Sequence, residues 1–149
     1  MATDSIRERL ILSDIEILEA LDTIKTVDRR LPTYSELQEF ALTQMPVACV
    51  VGGLPKPENH FAGRTGQVDQ IVSLLRVDIY IYLQENEEAD SEISNMLDEL
   101  WPALYSNPRR DNLCMATYLD SEEITEIWRP FVAFKISCFH RYQHSTGGI

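Results

Sequence analysis

The sequence predicts an α+β fold: a twisted, mostly antiparallel sheet of four to five strands, with two main helices packed on one face and a long protruding loop. Polar and apolar residues alternate through residues 67–83 and again through 131–142, as they do in half-buried antiparallel strands. Residues 93–104 instead repeat apolar side chains at helical spacing. With 149 residues, 44% of them hydrophobic, the chain is expected to form one domain spanning 1–149.

The first predicted element is an amphipathic helix that begins near the N-terminus. Asp4 or Ser5 can cap it, because their side-chain oxygens accept hydrogen bonds from free backbone N–H groups. Ser13 and Glu16 also fit a capping box, so a later start stays open. The apolar residues expected to face the core are Leu10, Ile11, Ile15, Leu18 and Leu21.

A short edge strand, a short helix and a buried strand are predicted next. Residues 24–29 carry β-branched side chains at alternate positions and lie shortly before a proline, which favours an edge strand. Thr33 and Glu36 form a capping box that starts the helix, and Pro46 stops it. Residues 47–51 are wholly apolar and predict a highly buried strand.

Residues 52–66 are predicted to form an extended loop. They contain four glycines and two prolines, and the segment is longer than most connections within compact domains. Because it joins two strands that we expect to pair, it should project as an arm that grips a neighbouring molecule. The predicted contact residues of this loop are Lys56, His60, Phe61 and Arg64.

The main helix and two further strands follow. The acidic turn 84–90 leads into the helix, and Pro102 should kink or end it. Its buried stripe consists of Ile93, Met96, Leu97, Leu100, Trp101 and Leu104. Residues 113–118 predict a strand, 120–126 an acidic connection that allows a helical turn, and 145–149 a flexible tail after the last strand.

Charge and composition exclude several classes of protein. The chain has 13 Lys and Arg against 24 Asp and Glu, and its net charge of −11 argues against wrapping nucleic acid. No apolar run approaches the roughly 18 residues needed to cross a membrane, and the N-terminus lacks the apolar region of a signal peptide. We therefore expect no membrane association and a cytosolic origin. The cysteines are odd in number and lie in apolar segments, which predicts buried thiols at Cys49, Cys114 and Cys138.

No pattern in the sequence predicts catalysis, a cofactor or a metal. No serine lies in a nucleophile elbow, and residues 63–66 lack both the lysine and the context of a phosphate loop. Cys138 and His140 share a strand face, but no fourth ligand has a recognisable spacing. We therefore predict that the chain is not an enzyme. Trp101 belongs to the core, whereas Trp128 fits packing and partner contact equally well.

Several local patterns occur in a characteristic order along the chain. They are TVDR at 26–29, MPVACV at 45–50, GG at 52–53, DIYIYL at 78–83, LDELWPALYSNP at 97–108, and the strand at 130–142. Together with the order of elements, they resemble the tail terminator proteins of long-tailed bacteriophages, also called tail completion or minor tail proteins. The resemblance covers most of the chain. The short helix and the acidic connection 120–126 depart from the family pattern.

The resemblance implies an α+β protomer that forms a homohexameric ring on the tail tube, at the neck of the virion, after assembly in the host cytoplasm. The ring would end polymerisation of the tail tube protein and offer a docking surface to the head–tail connector or stopper protein. DNA would cross its lumen without specific binding, because carboxylates repel the phosphate backbone.

Two groups of residues are candidates for these roles. A ring of six copies needs a heterologous interface, to which exposed aromatic residues on long strands are suited. The possible subunit interface consists of Tyr80, Tyr82, Trp128 and Phe139. The possible lumen lining consists of Glu85, Glu87, Glu88, Glu92, Asp98, Glu99, Glu122 and Glu123.

Two other functions stay open. A head completion or stopper protein would belong to the same neck but bind on the portal side and leave the ends of the tube bare. A small cytosolic α+β ligand-binding protein or enzyme would instead contain a closed polar pocket with perturbed titratable groups.

Overall fold

The structure is a computed structural model that describes residues 5–40, 44–62, 66, 68–123 and 131–145. Within these residues it contains three helices and one mixed, mostly antiparallel sheet of six strands, which confirms the α+β prediction and adds one strand, β3 below, to those expected. In chain order the elements are α1 (Ile6–Glu19), β1 (Thr26–Asp28), α2 (Tyr34–Glu39), β2 (Val47–Gly52), β3 (Lys56–Ala62), β4 (Val68–Gln84), α3 (Ala89–Tyr105), β5 (Ala116–Glu123) and β6 (Phe131–Ser145).

The sheet is built around the long antiparallel pair of β4 and β6, the two strands that alternate most clearly in the sequence. Its order is β1-β2-β4-β6-β5, and only β1 and β2 pair in parallel. β2 and β3 both pair with the same edge of β4, one after the other along its length. β4 and β5 run in the same direction with β6 between them, and α3 connects them across one face.

The main core lies between this sheet and the helices α1 and α3, which cover the same face. Leu10 and Leu18 of α1 and Leu100 of α3 are wholly buried against inward-facing strand residues such as Val77 and Ile136. On the opposite face, the described residues provide a cover at one end, where α2 packs. The small cluster there contains Leu37, Met45, Val47, Cys49 and Phe131.

The helix boundaries follow the local signals in the sequence. α1 begins after Ser5, whose hydroxyl accepts a 3.1 Å hydrogen bond from the N–H of Glu8, so the alternative start at Ser13 is wrong. α2 has the predicted capping box. α3 continues past Pro102 to Tyr105, because the proline removes only one backbone hydrogen bond and lies on the exposed side of the helix. No described helix is long and apolar enough to cross a membrane.

The prediction of an extended loop at 52–66 is wrong for Lys56–Ala62, which forms β3. β2 pairs with β4 only from Val77 to Tyr82, so the first half of β4 has a free edge that β3 occupies. A register shift after Pro57 accommodates a residue that has no backbone N–H. Lys56–Ala62 and Val68–Leu74, here called the arm, are therefore a β-ribbon.

The acidic connection predicted at 120–126 is wrong for its first four residues. They belong to β5, which begins three residues later than predicted and pairs with the outer edge of β6 from Ala116 to Glu123. An ion pair of 2.9 Å between Glu122 and Lys135 across the two strands offsets part of the strand's negative charge. The rest of the connection lies outside the described residues. Ser145 belongs to β6, and the remainder of the predicted tail is also outside the described part.

Candidate functional site

The sheet face opposite α1 and α3, here called the open face, is the most distinctive surface of the described protein. Its side chains come from alternate residues of β4, β5 and β6, which the register places side by side. α2 covers only the end at which Tyr80 and Tyr82 pack against its cluster. The residues that make up the rest of the open face include Arg76, Asp78, Tyr118, Glu122, Lys135, Phe139 and Arg141.

Three cations on the open face lie over aromatic rings of neighbouring strands. The Arg76 guanidinium carbon is 5.5 Å from the ring centroid of Phe139, and the Lys135 ammonium is 5.7 Å from that of Tyr80. Arg141 lies 5.6 Å from the ring of Tyr118. Each distance is within the range of a cation–π interaction.

Each of these cations also pairs with a carboxylate. Arg76 contacts Asp78 at 2.8 Å, and this hydrogen bond raises the pKa of Arg76. Glu122 raises the pKa of Lys135 in the same way. Arg141 contacts Glu58 of the arm at 2.9 Å. The ion pairs therefore hold the cations in place over the aromatic rings. Tyr, Phe and Arg, which make up much of this face, are residue types that are enriched in protein interfaces.

The predicted interface residues lie on this face where the structure describes them. Tyr80 and Phe139 are half-buried next to their cations, and Tyr82 lies nearer to α2. Trp128 is outside the described residues. That these four residues form a subunit interface stays a prediction.

Three of the four predicted contact residues of the loop 52–66 are described, and they lie at the surface. Lys56, His60 and Phe61 are exposed on β3, and half of the Phe61 surface is accessible to solvent. Val68, which pairs with the end of β3, is also exposed. Arg64 is outside the described residues.

The residues predicted to line a lumen do not form one surface. Most of them lie in the turn before α3 or on that helix, namely Glu85, Glu87, Glu88, Glu92, Asp98 and Glu99. Glu122 lies instead on the open face, on the other side of the sheet, where it pairs with Lys135. Glu123 ends β5, and its side chain is outside the described part. Only the group around α3 can act as one lining.

A buried ion-pair network is the feature that sequence reasoning missed. Asp14, Arg110 and His140 are all wholly buried. The Asp14 carboxylate accepts from Arg110 Nε at 3.1 Å and contacts His140 Nε2 at 2.6 Å. One signal was available, because Asp14 lies four residues after Leu10 and four before Leu18, within the apolar stripe of α1.

The backbone around Arg110 is arranged to bring its side chain inside. Arg110, Asp111 and Asn112 have φ values of 47°, 56° and 67°, in the left-handed region that residues other than glycine seldom adopt. The Arg110 guanidinium also donates to the carbonyl oxygens of Leu104 and Asn107, at 2.8 and 2.5 Å. Its Nη2 atom is buried without a hydrogen-bond partner among the described residues.

The hydrogen bonds around His140 require a charged imidazolium. The single proton of the Thr117 hydroxyl is donated to the Pro108 carbonyl at 2.6 Å, so Thr117 accepts from His140 Nδ1 at 2.8 Å. Because the Asp14 carboxylate only accepts, His140 Nε2 must carry a proton as well. Burial alone lowers the pKa of His140, but its hydrogen bonds with Asp14, which accepts, and with Cys114, together with the negative charge of Asp14, raise this pKa above its usual value.

The buried network resembles a metal centre in its donor atoms, but its hydrogen bonds and burial fit neither a metal centre nor a reactive site. Asp14, Cys138 and His140 bring three possible ligand atoms within 4.8 Å of one another. However, a metal ion would have to displace the hydrogen bond between His140 and Asp14 and would lie beside the Arg110 guanidinium. Burial also raises the pKa of the Cys138 thiol well above its usual value. The donors fit an internal ion-pair network better than a metal site, and their burial closes it to substrates.

All three cysteines are buried and free, which confirms the prediction of buried thiols at Cys49, Cys114 and Cys138. Burial, with a contribution from the charge of Asp28, raises the pKa of Cys49 to about 12. A thiol with so high a pKa is a poor nucleophile at neutral pH.

The charged state of His140 predicts a pH dependence of stability. Because its pKa is higher in the folded than in the unfolded chain, its contribution is fully present below the unfolded value, about 6.5, and is lost as pH rises through the folded value. We expect the unfolding free energy, measured in urea at a series of pH values, to fall over this range. His140→Gln should remove this component of the slope. Equal slopes in both proteins would contradict the assignment.

No model of a known protein family matches the sequence, and no curated protein matches it significantly. Function is therefore inferred from geometry and from the local sequence patterns. Of the features described, the open face and the arm are accessible to a partner, whereas the buried network is not.

Proposed function

We propose that the chain is a tail terminator of a long-tailed phage, which forms a hexameric ring on the tail tube, ends its polymerisation and offers a docking surface to the head–tail connector. The observation that carries this proposal is the open face, where aromatic rings and fixed cations cover a sheet face that α1 and α3 leave uncovered. Such a face suits a protein that binds to copies of itself and to other proteins.

The edges of the sheet favour contact through this face over pairing of strands. The edge strand β5 has two outward N–H groups occupied: Leu119 donates to the Tyr105 hydroxyl at 3.3 Å, and Ser121 donates to Asp120 at 2.9 Å. β1 has only three residues, and β3 carries Pro57. Protected edges of this kind discourage strand addition by another chain. Copies would therefore meet through side chains.

The negative charge supports passage of DNA through the ring. The acidic residues in the turn before α3 and on that helix form a continuous group in the chain, and the net charge is −11. A lumen lined by this group would repel the phosphate backbone and keep the DNA from adhering.

The proposal is tested by adding the purified chain to tail tube protein of the same phage during polymerisation. We expect growth to stop and negatively stained tubes to carry a cap at one end. A stopper protein, the second candidate, would leave tube growth unchanged and the ends bare. Tubes that grow normally without a cap at any concentration of the chain would contradict the proposal.

A substitution on the open face tests which surface is responsible. Phe139→Ala removes the ring beneath Arg76, and we expect it to raise the concentration needed for capping at least about tenfold, as for a central interface residue. Leu12→Ala is the matched control, because Leu12 is an exposed apolar residue of α1, the helix that covers the opposite face of the sheet. Equal capping by both variants would exclude the open face as the binding surface.

A further inference from the structure

A cavity of about 580 Å³ lies at the end of the sheet opposite to the arm. Its floor is apolar and includes Met45, Leu83 and Met96, all of them buried. Its rim is polar and acidic on balance, because it carries the carboxylates of Asp22 and Glu92 and one cation, Lys25, whose ammonium donates to the Asp22 carbonyl at 2.6 Å. The acidic turn before α3 adjoins it. The cavity therefore suits an apolar group that is accompanied by positive charge.

The arm offers this chemistry. Phe61 is 50% exposed and Val68 is 43% exposed at its tip, and Lys56 and His60 are exposed on the same strand. Lys56 makes no ion pair with any described residue, whereas the acidic Glu58 is already paired with Arg141. Lys56 is thus a cation without an ion-pair partner among the described residues, and its charge is opposite to that of Asp22 and Glu92 at the rim of the cavity.

Distance excludes a contact between the arm and the cavity of one molecule. Val68 at the arm tip and Leu83 on the cavity floor lie near opposite ends of β4. A strand rises about 3.4 Å per residue, so they are roughly 50 Å apart. A surface at one end that fits a surface at the other is heterologous, and repeated contacts of this type close into rings or extend into filaments.

We propose that the arm of one copy docks in the cavity of the next copy, with Phe61 on the floor between the two methionines and Lys56, on the same face of the ribbon, near the acidic rim. Methionine adapts to the shape of an aromatic ring and makes favourable sulfur–aromatic contacts. The contact rests on the proposed function, because it supplies a head-to-tail link for the ring and assigns a partner to the arm.

Cross-linking of two single variants tests this contact directly. Phe61→Cys and Asn95→Cys, the latter on the exposed rim, are mixed at high concentration, with and without tail tubes, and treated with a short bismaleimide. The native cysteines are buried and should react little. We expect a cross-linked heterodimer from the mixture and a ladder that ends at six copies from the double variant.

The control pairs Phe61→Cys with Glu16→Cys, which is exposed on α1 away from the cavity. Equal cross-linking in the control, or a cross-link from Phe61→Cys to tube protein instead of Asn95→Cys, would overturn the contact and leave the terminator function standing. Copies that never associate, even on tubes, would contradict both.

Truncation of the Phe61 side chain measures how much this contact contributes to self-association. Phe61→Ala should raise the midpoint concentration of self-association at least about tenfold, since it empties the cavity. Leu54→Ala is a matched control, because Leu54 is 88% exposed but precedes the arm. We expect its midpoint to stay within about threefold of the parent value. Equal shifts in the two variants would contradict a specific role for Phe61.

Discussion

The Asp14→Asn variant is expected to lose about 3–5 kcal/mol of unfolding free energy, the cost of removing one partner of a buried ion pair. The change deletes the charge that both Arg110 and His140 contact, and all three side chains are wholly buried. Arg110 already has one nitrogen without a hydrogen-bond partner among the described residues, so little nearby can compensate. Urea denaturation at neutral pH measures the loss.

Two further variants show whether the loss of unfolding free energy comes from the buried charge or from substitution in general. Glu36→Gln removes the charge from an exposed pair with Arg30, and we expect a much smaller change because solvent screens that pair. Asp14→Leu combined with Arg110→Met and His140→Gln should recover part of the lost stability, since it leaves no member of the network charged. If Asp14→Asn unfolds at the same urea concentration as Glu36→Gln, the network does not contribute as described.

The Leu100→Ala variant is expected to lose about 2–5 kcal/mol, the range for large-to-small changes at buried leucines. Leu100 is wholly buried on the side of α3 that packs on the sheet, so the substitution loses apolar contact and leaves a cavity. Leu97→Ala should cost less, because Leu97 is only partly buried. Thermal and urea unfolding measure both variants. An unchanged melting temperature for Leu100→Ala would contradict the packing of α3.

The parts of the fold that could be predicted are those in which local sequence and long-range packing agree. β4 and β6 bury one face and alternate with a period of two, and the stripe of α3 has helical spacing. The caps at Ser5 and Thr33 are local hydrogen bonds and were equally accessible to sequence reasoning.

The parts that could not be predicted depend on partners far along the chain. β3 is rich in polar residues and contains a proline, and it is a strand because the first half of β4 presents a free edge. β5 ends in acidic residues that looked like a solvated connection, but it pairs along the edge of β6. In both cases the tertiary context overrides a weak local preference.

The same distinction applies to the candidate site. Tyr80 and Phe139 were predicted as exposed aromatic residues on two long strands, but only the register of β4 and β6 places them on one face and brings Lys135 and Arg76 beside them. The contact of Asp14 with His140 joins residues 126 positions apart, which no local pattern reports. The predicted lumen residues were chosen by charge alone, and the sheet divides them between its two sides.

Copies of this chain are proposed to form a ring on the end of the tail tube. The most direct measurement is cryo-electron microscopy of tail tubes mixed with the purified chain, with the copy number determined at the tube end. We expect a closed ring of six copies there and no further tube subunits beyond it. Bare tube ends beside a chain that remains monomeric in the same sample would contradict it.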